Sequence, residues 1–520
     1  MSSSQTNQPL DRYTNIGELS EKVRKALKAV LIPMAIVMAL ESTALILTNA
    51  PGGSAFALMC AGTFCVFLAW SNNGIGLPLM PMMAAQTLII YGVPIVAKHD
   101  TILAYPNEFV FSAGIEVLVF CLALALAWLA GLRMTHPSPP ISYALHELNK
   151  SGVKGWARLG FGMIVSSTVA QILEGLGILN GVYALLPSGS ESIISALIAV
   201  GAASGFFLVS MIIGGGVATY FEKLLFWGIL ISNAVLSAED FILATAAAYL
   251  ITVSIGLFWS SGKIPWKYLT MVMVALSFLN TGKTTMRTRY WENADQPGKS
   301  VTLVRLPEVM AEWVEVSYDA ILANNTSPTA STKFSGAVAT KNQTLLDRID
   351  NLQNLLFVID AVKTSHVTLL GGQTYSIIPP LLIPRVFWPD KPRSHEGQIL
   401  LNVHFGRQDL ESTFTTYIAW GLLAEAYGNF GPILGATFLG CVLGFAFAMI
   451  ENFTKAKLIV SIEGFLSIAL LMNLMNSFEM VASVFVTATF QSMVIIAAAS
   501  MPFVQRTVNV RVEQSRDSSV

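Results

Sequence analysis

The chain has 520 residues, of which 53% are hydrophobic and only 12% are charged, and its formal net charge is −1. A soluble globular protein carries about 25% charged residues, and a chain this apolar would expose extended hydrophobic surface to water. The composition therefore excludes a soluble globular protein and predicts an integral membrane protein.

Apolar stretches long enough to cross a bilayer occur along most of the chain, since a spanning helix needs about 20 apolar residues. We predict an all-α polytopic membrane protein with about twelve transmembrane helices and one large external loop. The predicted spans are 29–48, 54–70, 77–97, 110–132, 159–180, 192–213, 217–236, 241–260, 266–280, 431–450, 458–475 and 480–504. The predicted regions are a tail (1–28), a membrane bundle (29–280), an external catalytic loop (281–430), C-terminal helices (431–504) and a second tail (505–520).

The distribution of Lys and Arg predicts the orientation. With the N-terminus inside, Lys98 is the only Lys or Arg in the short outer loops, and those of the other short loops lie inside. Short cytoplasmic loops are enriched in these residues, whereas long loops are exempt from the rule. Both termini are therefore predicted to be cytoplasmic and the segment 281–430 external.

One further apolar segment, residues 413–427 (TFTTYIAWGLLAEAY), is almost long enough to span. Counting it as a span would move Lys455 and Lys457 to the outer side, against the charge bias. We therefore predict a re-entrant or outer-leaflet helix here. Such a segment lines protein or a watery cavity, so it is a candidate cavity wall.

The external loop has internal structure of its own. The apolar spacing predicts amphipathic helices over 305–322 and 344–362. Between residues 378 and 398 the sequence IPPLLIPRVFWPDKPRSHEGQ is rich in proline, which fixes φ and removes backbone donors. We call residues 378–398 the platform, and we predict that it is rigid and irregular.

Basic residues cluster at two places in the external loop. Arginine suits phosphate because its planar fork forms paired hydrogen bonds and keeps its charge. The alternative is contact with lipid headgroups or snorkelling to the interface. The candidate phosphate-binding residues are Lys283, Arg287 and Arg289 at the membrane exit, and Arg385, Lys391, Arg393 and Arg407 at or after the platform.

Candidate acid–base residues lie in the same region. His395 has the ordinary pKa range for proton transfer, Asp390 is close to it in sequence, and Glu425 is a carboxylate near membrane depth. Trp388 could stack on a sugar, and Tyr427 follows Glu425 closely. The sequence has none of the usual Cys/His zinc spacings, so no metal site is predicted.

The stretches GGQTYSIIPPLLIPRVFWPDKP (371–392) and GLLAEAYGNFGPILG (421–435) resemble the bacterial oligosaccharide repeat-unit polymerases, which build O-antigen and exopolysaccharide. The resemblance covers 371–435 by motif and the rest of the chain only by architecture. These polymerases are related in fold to O-antigen ligases and more loosely to GT-C glycosyltransferases.

The resemblance implies a glycosyl transfer at the outer face of the bacterial inner membrane, without a metal or another cofactor. A glycan linked to undecaprenyl pyrophosphate would be transferred to a lipid-linked repeat unit, which releases undecaprenyl pyrophosphate. Arg385 and Arg407, assisted by Lys391 or Arg287, would stabilise the leaving pyrophosphate. His395, Asp390 or Glu425 would accept the proton, although Asp390 could instead hold Lys391 or Arg393 in place.

The expected partners are the lipid-linked oligosaccharide, membrane lipid, and a flippase or a chain-length regulator; no nucleic acid is expected. Alternative functions are a flippase for the same lipid-linked sugar, an O-antigen ligase and a non-catalytic scaffold for export. The concentration of polar residues in one external segment, away from the mid-membrane, favours the polymerase over the flippase. The density of Arg and His argues against the scaffold.

Overall fold

The computed structural model is predominantly helical, and the strands in its described part form one short antiparallel pair. The structure describes residues 16–135, 142–186, 190–237, 241, 243–261, 263–290, 305–324, 349–383, 387–388, 390–414, 418–455, 457, 462–475, 480–500 and 504–507. The chain forms two compact units: unit 1 comprises Met1–Gly152 and Ile349–Val520, and unit 2 comprises Val153–Arg348.

The elements follow each other in chain order across the two units. The first part of unit 1 contains α1 Ile16–Leu47, α2 Gly53–Asn73, α3 Leu79–Val96, α4 Asp100–Leu103, α5 Asn107–Met134, β1 Ser142–Leu145 and the start of α6 His146–Gly175. Unit 2 continues with α7 Ile178–Tyr183, α8 Ser190–Gly214, α9 Tyr220–Leu236, α10 Leu243–Ser261, α11 Trp266–Tyr290 and α12 Leu306–Asn324. Unit 1 resumes with α13 Leu352–Lys363, α14 Gln373–Ser376, α15 Ile378–Leu381, α16 Glu396–His404, α17 Leu422–Phe430, α18 Leu434–Thr454, α19 Ile462–Met475, α20 Ala482–Ser500 and β2 Val504–Thr507.

Six helices in the described residues are long and apolar enough to cross a membrane, as expected for a membrane protein. They are α1, α2, α3, α5, the segment Leu197–Gly214 of α8, and α18. A helix is also present at each of the other predicted span positions. The predicted amphipathic helix 305–322 is confirmed as α12, and that at 344–362 is confirmed in its described part as α13.

The centre of unit 1 is a close packing of α2, α5 and α18. A Cβ on Gly444 would lie 2.3 Å from the carbonyl oxygen of Leu124, and one on Gly114 would lie 2.7 Å from Cα of Ala55. Small residues let helix backbones approach closely in a membrane, where packing rather than the hydrophobic effect drives association. The three helices therefore depend on glycine at their contacts.

The contacts along these helices advance in the same direction, so α2, α5 and α18 run parallel. Near their N-terminal ends, both carboxylate oxygens of Glu116 accept the backbone N–H of Ile433, at 2.9 and 3.1 Å. Near the other ends, the indole N–H groups of Trp70 and Trp128 both donate to Oε1 of Glu451, at 3.0 Å. Buried carboxylates thus fasten the bundle at both ends.

Two apolar clusters occur among the described residues of unit 2. One joins α6, α8, α9, α10 and α11 and includes Phe206, Phe226 and Tyr249. The other packs α11 against α12 and is centred on Trp313, which is 0% exposed. Trp313 also donates from its indole N–H to the carbonyl of Leu279 at 2.8 Å, which fixes α12 on α11.

Two predicted boundaries differ from the structure. The predicted helix 413–427 is not continuous, because residues 418–421 are not helical and α17 begins at Leu422. Gly421 has a φ of +87°, a conformation that favours glycine and sets this start. The predicted external catalytic loop 281–430 is divided between the two units at residues 348 and 349, because α12 packs on α11 while α13 packs on α5 and α17.

Candidate functional site

The described part of the platform is irregular, as its prolines predict, and it begins with the single helical turn α15. Pro384, Arg385, Val386 and Pro389 lie outside the described residues. The predicted role of Arg385 is therefore a prediction without a structural test.

Lys391 has internal partners in the platform. Its side chain is buried, and the ammonium donates to the backbone oxygens of Leu381 at 2.8 Å and Ile383 at 2.7 Å. These carbonyls lie at the end of α15 and just after it, where the last carbonyls of a helix have no partner within the helix. The geometry therefore gives Lys391 a positioning role that ties the two ends of the proline-rich turn together.

The exposed face of the platform carries the other candidates. Phe387 and Trp388 are 79% and 40% exposed, and Asp390 and Arg393 are also exposed. Asp390 forms no ion pair with Lys391 or Arg393 in the described part of the chain, and its role in holding them stays a prediction. An exposed indole beside an exposed carboxylate is compatible with contact to a sugar.

His395 marks the end of the platform and the N-cap of α16. Its Nδ1 lies 2.7 Å from Oε1 of Gln398, and the ring is half-buried. The carbonyl of the preceding residue, Ser394, accepts from the hydroxyl of Ser483 at 3.1 Å. The platform is thus seated on the N-terminal end of α20.

Glu425 lies on α17 and is fully buried. Its Oε2 accepts the N–H of Ala482, the first residue of α20, at 2.5 Å. Burial raises the pKa of Glu425 to about 7, although the Thr374 hydroxyl and the Ala482 N–H both favour the charged form. Negative charge at a helix N-terminus is favourable, so this carboxyl fastens α17 to α20.

Two tyrosines beside Glu425 have buried hydroxyl groups without a hydrogen-bond partner in the described part of the chain. They are Tyr375 and Tyr427. Burial, followed by the charge of Glu116, raises the pKa of Tyr427 to about 12. Burial, followed by the charge of Glu425, raises the pKa of Tyr375 well above its ordinary value. Tyr427 is 1% exposed, so its predicted contact with substrate requires movement of the wall formed by α17.

Arg407 is held in one orientation by groups on two segments, α13 and the residues before α17. Its guanidinium donates to Oδ1 of Asn354 at 2.7 Å, and it lies over the rings of Phe357 and Trp420, 5.3 and 5.8 Å from their centroids. Trp420 is itself fixed by donating to Oδ1 of Asn402 at 2.6 Å. We call Arg407, Asn354, Phe357 and Trp420 the arginine cradle.

The electrostatics of the cradle favour a bound anion. Burial lowers the pKa of Arg407 to about 10, and Tyr105 acts in the opposite direction. The side chain is therefore cationic at neutral pH, and no carboxylate in the described residues forms an ion pair with it. A half-buried, oriented guanidinium without an acidic partner suits an oxyanion.

The sequence did not single out several residues that the structure brings to this region. His99 lies in the loop after α3, and its Nδ1 is 3.0 Å from Oδ2 of Asp350, whose side chain is 0% exposed. This pair fastens the residues before α13 to that loop, and so positions Asn354. In the sequence, the one sign of these contacts is that Asn354 is a polar residue on the buried face of the predicted helix 344–362. The contacts themselves join segments that are far apart in sequence, so the sequence could not predict them.

Arg287 and Arg289 lie on α11 in unit 2, whereas the cradle and the platform lie in unit 1. Arg289 forms an ion pair with Glu312 at 2.7 Å, and this pair gives its charge a structural role instead of phosphate binding.

No family model, curated protein or solved structure matches the chain.

Proposed function

We propose that the protein is a membrane glycosyltransferase that polymerises oligosaccharide repeat units linked to undecaprenyl pyrophosphate. The proposal places it in the bacterial inner membrane with both termini cytoplasmic and the platform and cradle on the outer side. The product would be an O-antigen or exopolysaccharide chain, and the leaving group would be undecaprenyl pyrophosphate.

The observation that carries the proposal is the arginine cradle. A transferase that releases pyrophosphate must offset the charge that develops on the leaving group. Arg407 is cationic, oriented by two aromatic rings and an amide, and has no acidic partner in the described residues. Such preorganised charge costs little reorganisation during the reaction.

The topology in the proposal is supported by the parallel packing of α5 and α18. Two parallel spanning helices require an odd number of crossings between them. The five predicted spans from 159 to 280 satisfy this requirement, whereas a sixth crossing at 413–427 would make α5 and α18 antiparallel. The twelve-span count, the cytoplasmic termini and the external position of residues 349–430 are therefore mutually consistent.

The proposed roles of the platform residues follow from how exposed each side chain is. His395 and Asp390 are accessible and are the proposed proton acceptors, while Glu425 holds the wall between α17 and α20. Trp388 provides an exposed ring for a sugar face, and Arg393 an exposed charge beside it. Arg385 retains its proposed role with Arg407 at the pyrophosphate.

A groove between α1 and α2 suits the prenyl tail. Its lining is almost entirely apolar or small, and α1 leaves long side chains such as Ile32 and Leu40 exposed. The lining residues are Ala35, Met38, Ala39, Ser42, Thr43, Ile46, Ala57, Cys60, Ala61 and Phe64.

The deciding experiment is the chain-length profile of surface glycan in a deletion strain complemented with variants. We expect Arg407→Ala to remove long chains and leave single-unit glycan, because loss of one charge-stabilising donor costs about 10²–10³ in rate. Arg407→Lys keeps the charge but loses the planar fork, and should retain part of the polymer. Arg385→Ala should match Arg407→Ala.

The matched control is Arg158→Ala, since Arg158 is exposed. It should give the wild-type ladder at equal protein level. Loss of all surface glycan in the deletion strain would indicate a flippase or a ligase instead. Long chains at normal level in Arg407→Ala would remove the cradle from the mechanism.

A further inference from the structure

Unit 2 contains a lysine in an unusual position. Lys283 lies on α11 at the face that packs against α12, between the buried residues Asn280 and Met286. It is 4% exposed, and its Nζ atom is buried without a hydrogen-bond partner among the residues that the structure describes. Across the contact, beside Gly282, the hydroxyl of Ser317 on α12 is also buried and has no hydrogen-bond partner in the described part of the chain.

The carboxylates of α12 do not neutralise this lysine. Glu312 accepts from Arg289 at 2.7 Å and from the Tyr290 hydroxyl at 2.5 Å. Glu308 pairs with Arg305 at 3.7 Å. The remaining two, Glu315 and Asp319, are exposed.

An uncompensated ammonium in such a place is unfavourable. Burying an ion costs several kcal/mol unless a partner of opposite charge and hydrogen bonds replace its hydration. The contact between α11 and α12 also contains the apolar cluster of Met286 and Trp313, and no carboxylate in the described residues forms an ion pair with Lys283. Lys283 is therefore stable at this position only if an anion binds to its ammonium or if the side chain loses its proton.

A second cation follows one turn later on the same side of α11. Arg287 is half-buried, and burial lowers its pKa, as it disfavours the charged form. Spacing of four residues places Lys283 and Arg287 next to each other along the helix. An ammonium, a guanidinium and a hydroxyl together match the donors that a tetrahedral phosphate oxyanion accepts.

We propose that Lys283, Arg287 and Ser317 form a binding site for a phosphate-type oxyanion in unit 2. The occupant is either the phosphate of a lipid headgroup or free phosphate or pyrophosphate. The site stands on the unpartnered lysine and does not depend on the proposed glycosyl transfer.

The test uses the full-length protein in a phosphate-free maltoside detergent, with thermal unfolding as the readout. Wild type is compared with Lys283→Met after saturation with inorganic phosphate, inorganic pyrophosphate or dispersed phosphatidylglycerol. We expect at least one probe to raise the Tm of wild type by about 2 °C or more, with little change in the variant. Without any probe, the variant should be at least as stable as wild type, since it lacks the unpaired charge.

The pattern of shifts identifies the source. A shift with phosphate or pyrophosphate indicates the free anion, and a shift with the lipid alone indicates a headgroup. Lys267→Met, on the exposed first turn of the same helix, should respond as wild type does.

The proposal is overturned if every probe shifts wild type and Lys283→Met equally, or shifts neither. If Lys283→Met does not accumulate, Arg287→Gln replaces it in the test, because this variant keeps Lys283 and removes the guanidinium. The proposal then requires that the probe raises the Tm of Arg287→Gln by less than it raises the Tm of wild type.

Discussion

Glu425 combines full burial with a bond to a helix N-terminus, so its two protonation states differ in what they stabilise. The charged form favours the start of α20, whereas the neutral form avoids the cost of burial. The raised pKa, about 7, means that burial is the larger effect. This carboxyl therefore couples the contact between α17 and α20 to pH.

Glu425→Gln should remove a pH dependence of stability. The pKa rises from its ordinary value of 4.5 to about 7 on folding, so the folded state keeps the proton where the unfolded chain has lost it. The free energy of unfolding of wild type should therefore fall as pH rises from about 4.5 through 7, by about 3 kcal/mol in all. In thermal unfolding in detergent, the variant should match wild type near pH 5 and exceed it at pH 8.

Glu315→Gln is the control, because Glu315 is exposed; its pH profile should follow that of wild type. A variant at Glu425 that is less stable than wild type at pH 8 would contradict the raised pKa. It would indicate that the charged cap outweighs burial.

The sequence identified residue types at the candidate site better than their roles. Proline spacing predicted an irregular platform, and its described residues between α15 and α16 are irregular. An oxyanion role for Arg407 fits its cradle. Lys391 was predicted to bind substrate, but its ammonium bonds to the backbone of its own turn. A pattern of charges cannot distinguish these cases, since the acceptors of Lys391 are main-chain atoms and carry no sequence signal.

At the scale of elements, the contact between α5 and α18 is closely packed along its length. Besides Gly444, a Cβ on Gly440 would lie 2.6 Å from the carbonyl oxygen of Phe120, and one on Gly131 would lie 2.7 Å from Cβ of Ala448. Backbone atoms cannot yield as a flexible side chain can. The two helices must separate to admit any added methyl group.

Gly444→Ala should therefore destabilise the protein even though alanine favours helix. We expect a loss of about 1–3 kcal/mol, the usual cost of overpacking, and a lower Tm in detergent. Gly228→Ala on α9 is the matched control, because its Cβ would meet nothing within 4 Å. There the higher helix propensity of alanine should leave Tm unchanged or slightly raised; equal effects at both sites would contradict the close packing.

Helix positions were predictable because twenty-residue apolar runs and amphipathic spacing are local signals. The start of α17 was not, since it depends on the conformation of Gly421 and on the bond from Glu425 to α20. The sequence also could not predict that α2, α5 and α18 pack against one another. Their contacts depend on glycines in apolar helices, and the sequence contains many glycines with no such contact.

For the whole molecule, charge counting and helix packing constrain the proposed topology in different ways. The first uses Lys and Arg in the loops, whereas the second combines the parallel direction of α5 and α18 with the five spans predicted between residues 159 and 280. The proposed topology satisfies both constraints when residues 413–427 do not cross the membrane. In that topology the C-terminal ends of α5 and α18 would lie on the cytoplasmic side and the cradle on the outer side.

Labelling of single cysteines in intact spheroplasts tests this arrangement. In a background lacking Cys60, Cys65, Cys121 and Cys441, cysteine replaces Leu103, Leu410, Met134 or Lys455, one at a time. These side chains are exposed, with Leu103 at 63%, Leu410 at 54% and Met134 at 71%. A membrane-impermeant maleimide should label positions 103 and 410 in intact cells, and positions 134 and 455 only after permeabilisation.

The position at 455 discriminates most sharply, because it follows both 413–427 and α18. If 413–427 crossed the membrane, residue 455 would be labelled from outside together with residue 103, while residue 134 stayed protected. Parallel α5 and α18 forbid that combination, since Met134 and Lys455 lie just at or beyond the same ends of the two helices. Protection of both, with labelling at 410, would place the platform and the cradle outside, where a lipid-linked glycan can reach them.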